Sequence, residues 1–280
     1  MSGSISFDEI ENQQGFLATG DKPESIDWLP EPPRQDRHVT LISVDDHLVE
    51  PPDMFVGRLP ARLADRAPRV MTAEDGGSEF WFYDGKQHFK VGLNAVVGKP
   101  LHQRTFDPVR FDEMRAGAYD IHARVHDMDI NGVYASLCFP SSLAGFAGQR
   151  YQLGVSDPDL ARAVVRAAND WHLEHWAGTY PGRIIPLQLP WLLDPGEGAA
   201  EIRANAARGF TAVTFPELPE RLGLPSASGP SARCRTELRR SGSEAGRPGQ
   251  RAFAGRPFQR VTAVARSSLQ TLGARHRARS

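Results

Sequence analysis

The sequence predicts an α/β fold built on a parallel sheet, and three observations carry that reading. Apolar, β-branched runs of strand length recur at Val39 to Val44, Val133 to Phe139, Arg183 to Leu189 and Phe210 to Phe215. Between them lie stretches whose apolar residues repeat at three- and four-residue steps, the spacing of one helical face. Glycine punctuates the passage from helix to strand, which is the pattern of βα units. Strands that are apolar throughout, rather than alternating, imply cover on both faces. A (β/α) barrel and a doubly wound sheet both satisfy this pattern.

The elements follow in order. Residues 1–38 carry Pro23, Pro30, Pro32 and Pro33 among polar residues and read as an extended leader. The run Val39 to Val44 is a strand whose C-terminal end carries Asp45, Asp46 and His47 before the Pro51-Pro52 break. Residues 53–110 are rich in Gly and Pro, and Phe80 to Tyr83 followed by Asp84-Gly85 suggests an inserted hairpin. Phe111, Met114, Ala118, Ile121, Val125 and Met128 form one helical stripe, closed at Asn131-Gly132. Ser156 with Asp159 fits a helix N-cap ahead of Leu160, Val164, Ala167 and Trp171, and Asp194-Pro195 opens a further helix that stops near Gly209.

Charge divides the chain. Of 280 residues, 40% are hydrophobic and 24% charged, with a formal net charge of −1. Up to Ser226 there are 21 Lys and Arg against 32 Asp and Glu; from Ala227 onward there are 12 Arg, no Lys and 2 Glu. The acidic, unsegmented start lacks the basic and apolar regions of a targeting signal, so a cytoplasmic address is expected. No run approaches the roughly 18 apolar residues of a membrane helix, and no membrane partner is expected. Cys138 and Cys234 are too few for a disulfide framework and read as free thiols.

The most informative cluster is Asp45, Asp46 and His47. Alternation along a strand puts Asp45 and His47 on one face and Asp46 on the other. A carboxylate and an imidazole two residues apart at a strand's end can grip a divalent metal, or can simply cap and line a turn. His122 with His126, and His172 with His175, share helical spacings but read as solvated helix histidines. Cys138 reads as a small buried residue rather than a nucleophile, Ser141 and Ser142 as polar loop residues, and Glu50 has no assigned role.

Four segments in order, VDDHLVEPPDMF, HARVHDMDINGVYASLCFP, ARAVVRAANDWHLEHWAGTYPGRIIPLQLP and AARGFTAVTFPELPERLGLP, resemble the N-terminal half of the amidohydrolase-2 family over residues 39–226. That family includes aminocarboxymuconate-semialdehyde decarboxylase and gamma-resorcylate decarboxylase. The resemblance implies a metal-dependent TIM barrel, here holding about the first four βα units. It also implies a hydrolase or decarboxylase acting on a small carboxylated or cyclic substrate. One divalent ion is implied, zinc foremost and manganese as the alternative, with Asp45 and His47 as its first-strand metal ligands. The family's later metal and catalytic residues find no match, and His276 sits in an Arg-rich run, so impaired activity is expected. Open strand edges in such a half barrel expose it to aggregation, or to closure as a homo-oligomer.

The domain reading is therefore a leader at 1–38, a partial barrel at 39–226 with its insertion at 53–110, and an Arg-rich tail at 227–280. The tail lacks aromatic interleaving, so nucleic acid is not expected as a partner, although a basic arm that binds it non-specifically is the competing reading. It is read instead as an out-of-frame, disordered segment. Sequencing the gene past codon 226 checks this: an alternative frame should encode a strand ending in His, and its absence from both frames would rule the idea out.

Overall fold

The computed structural model describes residues 25–34, 36–74, 77–92, 95–100, 103, 110–141 and 149–215, so the tail and its proposed disorder lie outside the described residues. Seven strands occur there: β1 (Leu41–Leu48), β2 (Arg69–Thr72), β3 (Glu79–Tyr83), β4 (Lys86–Lys90), β5 (Val133–Pro140), β6 (Leu187–Gln188) and β7 (Ala212–Val213). The α-helices are α1 (Ile121–Ile130), α2 (Gln149–Gly154), α3 (Pro158–Trp171) and α4 (Pro195–Arg208).

The four strands outside the insertion lie parallel, in sequence order. β1 pairs with β5 and β6 with β7. One parallel bridge between Ser136 and Ile184 ties the two pairs, through Ser136 N–H to the Arg183 carbonyl (2.9 Å) and Ile185 N–H to the Ser136 carbonyl (2.8 Å). The result is an open arc of βα units, with no closed barrel among the described residues. The insertion forms an antiparallel β2-β3-β4 meander rather than a single hairpin. Asp84 and Gly85 supply its β3–β4 turn, both at positive φ (51° and 73°).

Several expected boundaries move, each for a visible reason. The stripe from Phe111 is buried as expected, but it belongs to two 3-10 turns followed by α1 rather than to one helix. The Asp120 carboxylate accepts from Ala123 N–H (2.7 Å) and so starts α1 there. Helix α3 is capped by Asp157, not Ser156. Asp157 accepts from Asp159 N–H (2.9 Å) and Leu160 N–H (3.4 Å), Pro158 occupies the first helical turn, and Ser156 donates to Asp84 instead. The last two strands are two residues each, because Pro186 and Pro190 flank β6 and have no N–H for a ladder.

Side chains complete what those short ladders lack. Asn169 of α3 accepts from Leu189 N–H (2.8 Å) and donates to the Leu189 carbonyl (2.9 Å). Gln152 of α2 does the same for Leu192 N–H (2.8 Å) and the Pro190 carbonyl (3.0 Å). These buried amides satisfy backbone groups that would otherwise cost about 1–3 kcal/mol each. Below them α3 buries Leu160, Val164, Val165 and Trp171 in the main core.

The expectation that both faces of every strand are covered fails at β1, where Leu41 is 47% and Val44 43% exposed. Among the described residues β1 pairs on one side only, so cover stops at the edge of the arc.

Close approach, not backbone freedom, fixes Gly198 in the first turn of α4: a Cβ there would lie 2.3 Å from the Trp191 carbonyl oxygen. Gly198→Ala is expected to destabilise the fold by about 1–3 kcal/mol through this overlap, against a gain of about 1 kcal/mol in helix propensity. Urea unfolding checks the sign, and a stabilised variant would show that the loop before α4 yields freely.

Candidate functional site

Strand β1 extends through the acidic cluster to Leu48, so Asp45, Asp46 and His47 lie in its last four residues. His47 is in register with Phe139 of β5, and their rings stand 6.0 Å apart. Phe139 packs with Leu137 and Leu187 in a small cluster apart from the main core. Asp46 is in register with Cys138, which belongs to the main core under the helices. Asp46 accepts from Ser43 Oγ (2.8 Å) and from Ser136 Oγ, and Ser136 Oγ also lies 3.2 Å from Cys138 Sγ. The helix-side face of β1 therefore carries Asp46, while His47 takes the opposite face with Phe139, and Asp45 lies in the irregular stretch between Ser43 and Asp46.

Charges of both signs surround His47. His47 has its pKa lowered, chiefly by burial, although much of its surface remains open to solvent. The charges of Asp45 and Asp46 oppose that lowering, and Arg124 adds to it. The imidazole is consequently neutral near pH 7, the form that binds a metal. Arg124 of α1 donates to the His47 carbonyl and lies 5.8 Å from the Trp176 ring, which fixes the backbone beside the imidazole.

A carboxylate and a neutral imidazole fit a divalent ion in kind but not in number. Among the described residues no group of three His, Cys, Asp or Glu gathers to hold one, whereas a catalytic zinc ordinarily has about three protein ligands. Asp45 and His47 are adjacent on one strand, and no third donor from another described element joins them.

Other candidates resolve separately. His122 Nδ1 meets Tyr180 Oη at 2.8 Å and His126 Nε2 meets Glu31 at 3.1 Å, so each of these two histidines has its own separate partner. His175 is exposed and stacks on Trp171. Cys138 is fully buried and its thiol pKa is pushed up by desolvation, which keeps it protonated and inert. Glu50 is fully buried, Ser141 is half-buried, and Ser142, Cys234 and His276 lie outside the described residues. His172 departs from expectation: it is 6% exposed and its Nε2 accepts from Leu187 N–H at 3.2 Å. Helical spacing alone could not separate it from His175, and only its contact with β6, made from the helical turn just after α3, does so.

The fold is similar to that of an amidohydrolase from Mycobacterium avium subsp. paratuberculosis K-10, seen in a crystal structure, with a TM-score of 0.53 and 20% sequence identity. The likeness covers 76% of this chain and 58% of that chain, so this chain spans little more than half of its neighbour's length. No protein-family model and no curated protein matches the sequence. At this identity the likeness is one of fold. Among the described residues no helix is long and apolar enough to cross a membrane.

Burial of His172 lowers its pKa to about 4 from an ordinary value of 6.5, and a hydrogen bond to the Ile185 backbone opposes the shift. The folded state holds the ring neutral while the unfolded chain takes up a proton below pH 6.5. The stabilising contribution is therefore complete above that pH and shrinks as pH falls towards 4, by on the order of 3 kcal/mol. Urea midpoints compared between the wild type and His172→Gln at pH 7 and pH 4.5 check this. The difference between the two proteins should narrow on acidification, and a constant difference would contradict the assignment.

Proposed function

We propose that this chain carries the N-terminal portion of a metal-dependent amidohydrolase-type barrel, whose reaction is hydrolysis or decarboxylation of a small carboxylated or cyclic substrate. The observation that carries the reading is the position of Asp45 and His47 at the C-terminal end of the first strand of a parallel βα arc. In barrels of this architecture the active site gathers at the C-terminal ends of the strands. Fold similarity to an amidohydrolase supports the class without reaching the substrate or the reaction.

Asp45 and His47 would hold the ion, zinc foremost and manganese as the alternative. Bound there, such an ion supplies a Lewis acid for a substrate oxygen or lowers the pKa of a water. The chain's own residues prepare that position. His47 offers a neutral nitrogen, Asp45 offers negative charge, and Phe139 with Leu137 forms an apolar wall that strengthens electrostatic attraction beside it. Arg124, through the His47 carbonyl, holds the backbone from which the imidazole projects. With two donors, metal affinity is weak and turnover by this chain is weak or absent.

Calorimetric titration of the full chain with zinc is expected to show weak binding that His47→Ala removes. Zinc binding unchanged in His47→Ala would overturn the ligand assignment. Strong metal-dependent turnover by the 280-residue chain, abolished by the same substitution, would overturn the expected impairment.

A further inference from the structure

The faces of β1 do not follow from simple alternation. Ser43 pairs with Ser136 and Asp46 with Cys138, so three steps along β1 match two steps along β5. Strands in register share a face, which puts Ser43, Ser136, Cys138 and Asp46 all on the helix side. In a regular strand Ser43, Asp45 and His47 would alternate together, and the candidate ligands would point under the helices. One extra residue between Ser43 and Asp46 reverses the parity there and turns His47, in register with Phe139, to the other face, while a shift of opposite sense lies at the start of the strand between Leu41 and Ile42. Such β-bulges recur beside active sites, where they re-aim a side chain.

Something must hold that extra residue in place, because a one-residue slip carries every side chain beyond it to the opposite face. We infer that Asp46 is the lock on this bulge and thereby a positioning residue for His47, the candidate metal ligand in register with Phe139. Its carboxylate accepts from Ser43 Oγ at 2.8 Å on one side of the bulge and from Ser136 Oγ on the neighbouring strand. The hydroxyl of Ser43, the residue before the bulge, and that of Ser136, its pairing partner, thus meet on the carboxylate of the residue after it. Ser136 is fully buried, so its hydroxyl has no bulk water to exchange for this bond. On the C-terminal side Arg124 donates to the His47 carbonyl, which prevents the slip from being taken up further along the strand. The bulge stands on register and hydrogen bonds alone; that it serves a metal rests on the function proposed above.

The test uses the full chain with Asp46→Ala and Asp46→Asn. Two signals are read: the NMR cross-peak between the His47 and Phe139 rings without metal, and cobalt(II) affinity from its absorption spectrum. Asp46→Ala should lose the cross-peak and weaken cobalt(II) binding by about tenfold or more, the usual cost of losing a group that orients a ligand. Asp46→Asn should retain both, since an amide can accept from one serine while donating to the other. A cross-peak that survives in Asp46→Ala would overturn the lock. If Asp46→Ala does not melt cooperatively, Asp46→Asn decides: a retained cross-peak supports the lock and a lost one overturns it. A lost cross-peak with cobalt(II) binding unchanged, or absent even in the wild type, would leave the lock standing and sink the metal reading.

Discussion

The pairing of β1 with β5 is the constraint on which the rest of the site depends. It is the longest parallel contact in the arc, with eight residues in each strand, and it holds two compensating irregularities: an extra residue on β5 opposite Leu41 and Ile42, and an extra residue on β1 between Ser43 and Asp46. That surplus decides which side chains meet the helices and which meet the face bearing Phe139. Two serine hydroxyls and one carboxylate sit where the parity changes, and an arginine from α1 grips the backbone just beyond. The electrostatics of His47 then follow from its face: close to Asp45, beside an aromatic ring, and desolvated enough to stay neutral.

Away from β1 the arc is held by a different device. The strands at its far end are too short to satisfy their own backbone, and buried polar side chains on the helices take over. Asn169, Gln152 and His172 each reach from a helical segment to the main chain between Leu187 and Leu192, and Asn205 of α4 donates to the Gln188 side chain at 3.1 Å. Helix and strand are thereby fixed by directional bonds as well as by the apolar layer between them. An isolated apolar contact tolerates sliding; a pair of bonds from one amide does not.

Much of this architecture could be read from the residues. The apolar spacing of Leu160, Val164 and Trp171, the Asp194-Pro195 start of α4 and the Asn131-Gly132 stop after α1 each reappear, because they rest on local chemistry: a capping carboxylate, a proline tolerated in the first turn, a glycine at φ 71°. What could not be read depended on partners distant in sequence. Ser156 lost the cap to Asp157 because Asp84, 72 residues earlier, holds it. The burial of His172 depends on β6, and the bulge in β1 depends on Ser136, 90 residues away from Asp46. Alternation predicts a common face for Asp45 and His47, but it gives no sign of the register shift between Ser43 and Asp46 that interrupts alternation there.

On the proposed function, Asp45 and His47 form the cation-binding point of this arc, with His47 beside Phe139. Paramagnetic broadening by manganese(II) tests it directly, because the histidines of the described residues report separately. Titrated into the full chain at substoichiometric levels, manganese(II) should broaden the His47 ring signals first, with the Phe139 ring following. His122, His126 and His175 should respond only at higher concentration, and buried His172 last. Uniform broadening of the exposed histidines, or a first response at His122 or His126, would contradict the account.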